Sequence, residues 1–157
     1  MLSLAASLLV LPAAVSAAQY GQIVRNDPAR CASNAGASAM LTITNIAESK
    51  GRLRVQAYRG TRDEWLTKGR WLNRIEVPAR AGTMRICMPL PGPGTYAIAV
   101  RHDRNGNGNT DIRQDGGGMS NNPSINIFNL GKPSFTKTRF TVGDKPAAMT
   151  IQMRYLD

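Results

Sequence analysis

Residues 95–118 read TYAIAVRHDRNGNGNTDIRQDGGG, and the way this stretch divides decides the fold. Tyr96, Ile98 and Val100 recur with period two, the alternation of a half-buried strand. His102 continues their face, and beyond it apolar residues give way to Asn, Gly and Asp. A strand therefore runs into a loop, 102–118, the one place in the chain where oxygen-bearing side chains cluster.

Two readings of that loop stand side by side. Asp103, Asn105 and Asn107 alternate, Gly108 follows, and Asp111 comes three residues later, which matches the opening half of an oxygen-ligand calcium loop. On that reading Asp103, Asn105 and Asn107 give side-chain oxygens, Asn109 gives a backbone carbonyl, and Asp111 and Asp115 complete a weak site. Gln114 stands where a bidentate carboxylate belongs, and no helix pattern precedes the loop. The other reading is a metal-free connection, because Asn-Gly pairs supply tight turns and Asx side chains bond their own backbone. His102, the only histidine, anchors the loop base with Gly108 at its turn. With one histidine and no nucleophile motif, a hydrolase centred on His102 and Asp103 is disfavoured, and the expectation is a non-enzyme.

Outward from the loop, strand follows strand. MLTITNI (40–46) turns Leu41 and Ile43 inward, and RLRVQAY (52–58) turns Leu53, Val55 and Ala57 inward. The linking AESKG reads as the turn of a hairpin. LNRIEVPA, TMRICMPL, TKTRFTV and MTIQMRYL supply further strands. TRDEWLTKG breaks the alternation, and its Thr61/Glu64 capping pair predicts a short helix near 62–68. Trp65 and Trp71 either pack that helix on the sheet or, with Tyr58 or Tyr96, form an aromatic platform for a carbohydrate. GGGMSNNPSINIFNLGKPS (116–134) reads as a long polar connection anchored by Ile125, Ile127 and Phe128. About eight short strands separated by turns predict a single antiparallel β-sandwich.

Residues 1–18, MLSLAASLLVLPAAVSAA, have the apolar run and small-residue end of a signal peptide, although no Lys or Arg precedes the run. An exported protein, periplasmic or secreted, follows, with 19–36 as an irregular segment and 37–157 as the sandwich domain. Cys31 and Cys87 are then most simply one disulfide that ties 19–36 to the outside or edge of the sandwich. The chain carries 20 basic and 10 acidic residues, a net charge of +10. Such a balance suits anionic partners such as envelope polymers or lipid headgroups. Nucleic acid is disfavoured, since aromatics are few and no recognition motif appears.

The segments PGTYAIAVRHDRNGNGNTD, GMSNNP and GKPSFTKTRFTV, after LRVQAY, resemble a widespread bacterial family of small exported proteins catalogued as a domain of unknown function. The likeness covers roughly residues 38–155 and includes His102, Asp103, Asn105, Asn107, Gly108 and Asp111. It implies an immunoglobulin-like or transthyretin-like sandwich and an exported location, and it brings no activity.

Overall fold

A computed structural model describes residues 19–126, 129 and 131–156. The signal-peptide reading of 1–18 and the anchoring expected of Ile127 and Phe128 lie outside the described residues. Among the described residues the chain is all-β: β1 (Gln22–Ile23), β2 (Ser38–Ile46), β3 (Arg52–Arg59), β4 (Asn73–Pro78), β5 (Gly82–Pro89), β6 (Gly94–Asp103), β7 (Gly116–Met119), β8 (Phe140–Val142), β9 (Ala147–Gln152) and β10 (Arg154–Tyr155). One sheet has the order β1-β4-β3-β6-β7-β10 with β8 also on β6, and the other has the order β5-β2-β9.

Alternation explains how these two layers close on each other. Leu53, Val55, Ala57, Ile75, Ile98 and Val100 face inward from the large sheet, and Leu41, Ile43, Ile86, Met88 and Ile151 face them from the small one. Most of these side chains are fully buried, so truncating one of the larger to Ala costs about 2–5 kcal/mol. The outer face of the large sheet carries a second cluster, in which Tyr58, Trp65, Ala97 and Met119 pack together.

Several local expectations are corrected. β2 and β3 do not pair as a hairpin: β2 lies between β5 and β9, and β3 lies between β4 and β6. AESKG crosses from one sheet to the other. Alternation reports which face is apolar and says nothing about which strand lies alongside. The layers are also not purely antiparallel, since β1 runs parallel to β4 and β9 parallel to β2.

The helix expected at 62–68 is a single turn closed by Trp65 N–H on the Thr61 carbonyl. Leu66, at φ 55, ends it, and Glu64 accepts a hydrogen bond from the Tyr20 hydroxyl instead of reaching back to cap. The one described α-helix, α1 (Phe135–Thr138), falls where a strand was expected to begin. MTIQMRYL is two strands, because the chain changes sheets at Met153 between β9 and β10.

Cys31 and Cys87 form a disulfide with a Cα–Cα distance of 5.8 Å. Closing a loop of 56 residues stabilises by about 4 kcal/mol on the chain-entropy account. Asn26 works at the same edge. Its side chain accepts from Cys87 N–H and donates to the Arg85 carbonyl, which blunts the open edge of β5. Segment 19–36 is therefore less irregular than expected: β1 extends the large sheet, and a 3-10 turn at Pro28–Cys31 reaches the small one.

Candidate functional site

β6, β7 and β10 are neighbours, so residues in register across them share a face, and successive rows alternate between the inner and outer faces of the sheet. The inner row is Leu53, His102, Gly116 and Tyr155, paired in that order. His102 is fully buried. Its Nε2 lies 2.8 Å from the Lys50 carbonyl, which can only accept, so Nε2 carries the proton. Nδ1 then accepts from the Tyr155 hydroxyl at 2.8 Å, and that hydroxyl in turn accepts from Ala47 N–H at 3.0 Å. Both ring nitrogens are spent on holding the loop base. The Tyr155 ring fits because position 116 is glycine: a Cβ there would come within 2.3 Å of it. Gly51, at φ +70, is equally confined, since a Cβ would meet the Asp103 carbonyl at 1.9 Å.

Beyond His102 the loop satisfies itself. Asp103 is buried, and its Oδ2 accepts from Gly108 N–H at 2.8 Å. Its Oδ1 is buried with no hydrogen-bond partner among the described residues. Asn105 and Asn107 form successive Asx turns, their side-chain oxygens accepting from Asn107 and Asn109 N–H. Their amide nitrogens converge on Asp111 Oδ2 at 3.1 and 2.8 Å. Those two hydrogen bonds hold the Asp111 carboxyl below its ordinary range. Asp115 receives Arg104 N–H and Asp111 N–H on its two oxygens.

Asp103, Asn105, Asn107 and Asp111 are thus brought together, with the asparagine oxygens committed to turns. Asn109 enters through its N–H rather than its carbonyl, and Asp115 serves the backbone. Among the described residues no group of three or more His, Cys, Asp or Glu side chains is arranged to hold a metal ion. The loop tip, 105–110, is exposed.

The outer row is Arg54, Arg101, Gly117 and Arg154. Arg54 and Arg101 are directly opposite across two strands, an arrangement that costs about 0.2–1 kcal/mol for like charges. Glu76 pairs with Arg54 and is shared with Arg52 and Arg74, and Asp103 pairs with Arg101 at 3.5 Å. Burial, then the neighbouring Arg54 guanidinium, push both Arg74 and Arg101 below the usual arginine value. Arg101 also buttresses the loop, donating to Thr110 Oγ1 at 2.7 Å and the Gly108 carbonyl at 2.9 Å.

Over this row the loop and the segment after β7 rise as walls around a cleft of about 480 Å³. Met119, Ile112, Ile125 and Leu156 line it together with Arg54, Arg101, Lys132 and Arg154. A Cβ on Gly117 would meet only Ile125, at 3.8 Å, so this glycine opens the floor. A wider and more polar groove of about 910 Å³ lies at the other end of β6, by Arg30, Pro91 and Tyr96.

The aromatic platform is not formed. Trp65 is buried, edge-on to Tyr58, with its indole N–H on the Pro133 carbonyl at 2.8 Å. Trp71 lies beneath the Arg74 guanidinium, 4.1 Å from the ring centre, and Tyr96 is in the core. The cleft is hidden in the sequence because GGGM reads as connection. It is β7, and it brings Arg154 to one side of Gly117 and Arg101 to the other. Alternation had already placed Arg54 and Arg101 on the outer face, but their being neighbours needed the register.

The architecture defines a small two-sheet β protein with a loop-walled cleft on one outer face. The chain belongs to a family described as an uncharacterized protein conserved in bacteria (DUF2141), whose sequence model matches residues 41–150. No curated protein and no solved structure matches the chain.

Proposed function

We propose that the protein is a non-catalytic, exported envelope module that binds a ligand on its loop face, residues 102–135. The observation that carries this reading is the cleft of about 480 Å³ between the outer sheet face and the loop segments, a volume within the range of about 300–1,000 Å³ typical of small-molecule sites. β-Sandwiches place binding at loops held by a rigid scaffold, and His102 with Tyr155 supplies that rigidity here. His102 is fully buried with both nitrogens bonded, to the Tyr155 hydroxyl and the Lys50 carbonyl, which supports a structural role for it rather than a catalytic one. Export is supported by the disulfide, which persists in oxidising compartments, and by the leader-like composition of 1–18.

The test is an amide-resolved NMR screen with a mixture of small organic compounds. Shifts gathered at Thr110, Ile112, Gly117 and Lys132 are expected. Shifts confined to the groove around Arg30 and Tyr96, or scattered over the surface, would refute the assignment.

A second reading, weak calcium at Asp103, Asn105, Asn107 and Asp111, is favoured by the buried, unpartnered Oδ1 of Asp103. Binding would require the two asparagine amides to turn their oxygens inward. A melting temperature that stays flat up to several millimolar calcium removes it.

A further inference from the structure

The cleft has a chemical signature that narrows its ligand, on the premise that it is the binding site. Its floor is the row Arg54, Arg101, Gly117, Arg154, in which neighbouring strands are about 4.8 Å apart. Arg101 and Arg154 therefore flank a gap about 10 Å wide in which the missing side chain of Gly117 leaves bare backbone. Four cationic side chains line the cleft against one carboxylate, Asp115, whose two oxygens already receive backbone N–H groups. Arg154 and Lys132 make no ion pair among the described residues, whereas Arg54 pairs with Glu76 and Arg101 with Asp103 at 3.5 Å, leaving only the buried Nε of Arg101 without an acceptor. Against this charge stands an apolar wall. Ile112 is 42 % exposed at the rim, and Ile125, Met119 and Leu156 continue it inward.

The geometry points to a small amphipathic anion: an oxyanion head, carboxylate or phosphate, held over Gly117 between Arg101 and Arg154, with a compact apolar body against Ile112 and Ile125. Guanidinium forks match the planar carboxylate and the phosphate edge in pairs of parallel hydrogen bonds. A head group placed there adds to the partial compensation that Glu76 and Asp103 already give the Arg54–Arg101 pair. An apolar ligand without a head would leave Arg154 and Lys132 without a counter-charge. A purely ionic one would leave the isoleucine wall unused. The ligand is a free single-chain molecule rather than a bilayer, because the arginines sit at the bottom of the cleft behind the loop walls.

The experiment is an amide-resolved NMR titration of the full mature chain with octanoate and octyl phosphate, with octanol and inorganic phosphate as controls. Saturable shifts at Arg101, Ile112, Gly117 and Ile125 are expected for both amphiphiles, with each control at least about tenfold weaker. Gly117→Leu, which fills the gap, abolishes the response. Arg154→Gln weakens it about tenfold and serves alone if the leucine variant does not fold. Octanol binding as tightly as octanoate would overturn the anionic class while leaving the cleft as a site. Silence at these amides with every probe would overturn both readings. Sedimentation with anionic phospholipid vesicles in the absence of any octanoate response would assign the charge to a membrane surface and overturn the inference.

Discussion

Two rows of residues, one step apart along the same strands, differ in nearly everything. The inner row, His102, Gly116 and Tyr155, is closed: the ring nitrogens and the tyrosine hydroxyl are bonded, and the glycine exists because an aromatic ring occupies its Cβ position. The outer row, Arg101, Gly117 and Arg154, is open: its charges outnumber their partners, and its glycine faces space. The same residue type is spent on packing in one row and on vacancy in the other. The comparison teaches that this sheet is built as a rigid back for a cavity on its front.

The sharpest break in the comparison comes from the two glycines. Gly116→Ala drives a methyl into the Tyr155 ring and is expected to cost about 3 kcal/mol in a urea melt. Gly117→Ala is expected to leave stability within about 0.5 kcal/mol, since nothing stands in its way. Equal losses at the two positions would erase the distinction between closed and open rows.

Tyr155→Phe comes next. It strips the donor from the buried Nδ1 of His102 and the acceptor from Ala47 N–H, so a loss of about 1–3 kcal/mol is expected, with faster amide exchange at Lys50 and Gly51. A smaller effect is expected on the outer row. Arg54→Gln removes one of two opposed charges and also the Arg54–Glu76 pair, so the unfolding free energy should stay within about 0.5 kcal/mol of the parent.

The smallest effect concerns pH at the loop tip. The Asp111 carboxyl is held below its ordinary value by the Asn105 and Asn107 amides. A depressed folded-state pKa adds stability that is present above the unfolded value and is lost as pH falls through the folded one. NMR signals of Asn105 and Asn107 should therefore persist as pH drops through the usual aspartate range and change only below it. The global melting temperature should barely move, because the group is exposed.

What the sequence disclosed was face, and what it withheld was neighbourhood. Period two put Leu53 and Val55 inside, Arg54 and Arg101 outside, and His102 on the Tyr96 face. All five stand so in the structure. The two cysteines pointed to one bridge, and the structure contains it. Partners were another matter. A five-residue turn such as AESKG serves a hairpin or a crossing between layers equally well, and only long-range packing separates the two. Glycine was the second blind spot. GGG has no strand propensity, yet Gly116 and Gly118 are strand positions because Tyr155, Ile151 and Met153 press on them from a distant part of the chain. The cleft depends on that strand, so it was hidden with it.

A crystal structure of the protein grown with octyl phosphate tests the central claim most directly. Density for the phosphate between the Arg101 and Arg154 guanidinium groups, above the Gly117 backbone, with the alkyl chain along Ile112 and Ile125, is the predicted result. Arg101 and Arg154 found folded across an empty Gly117, with the additive elsewhere or absent, would contradict it.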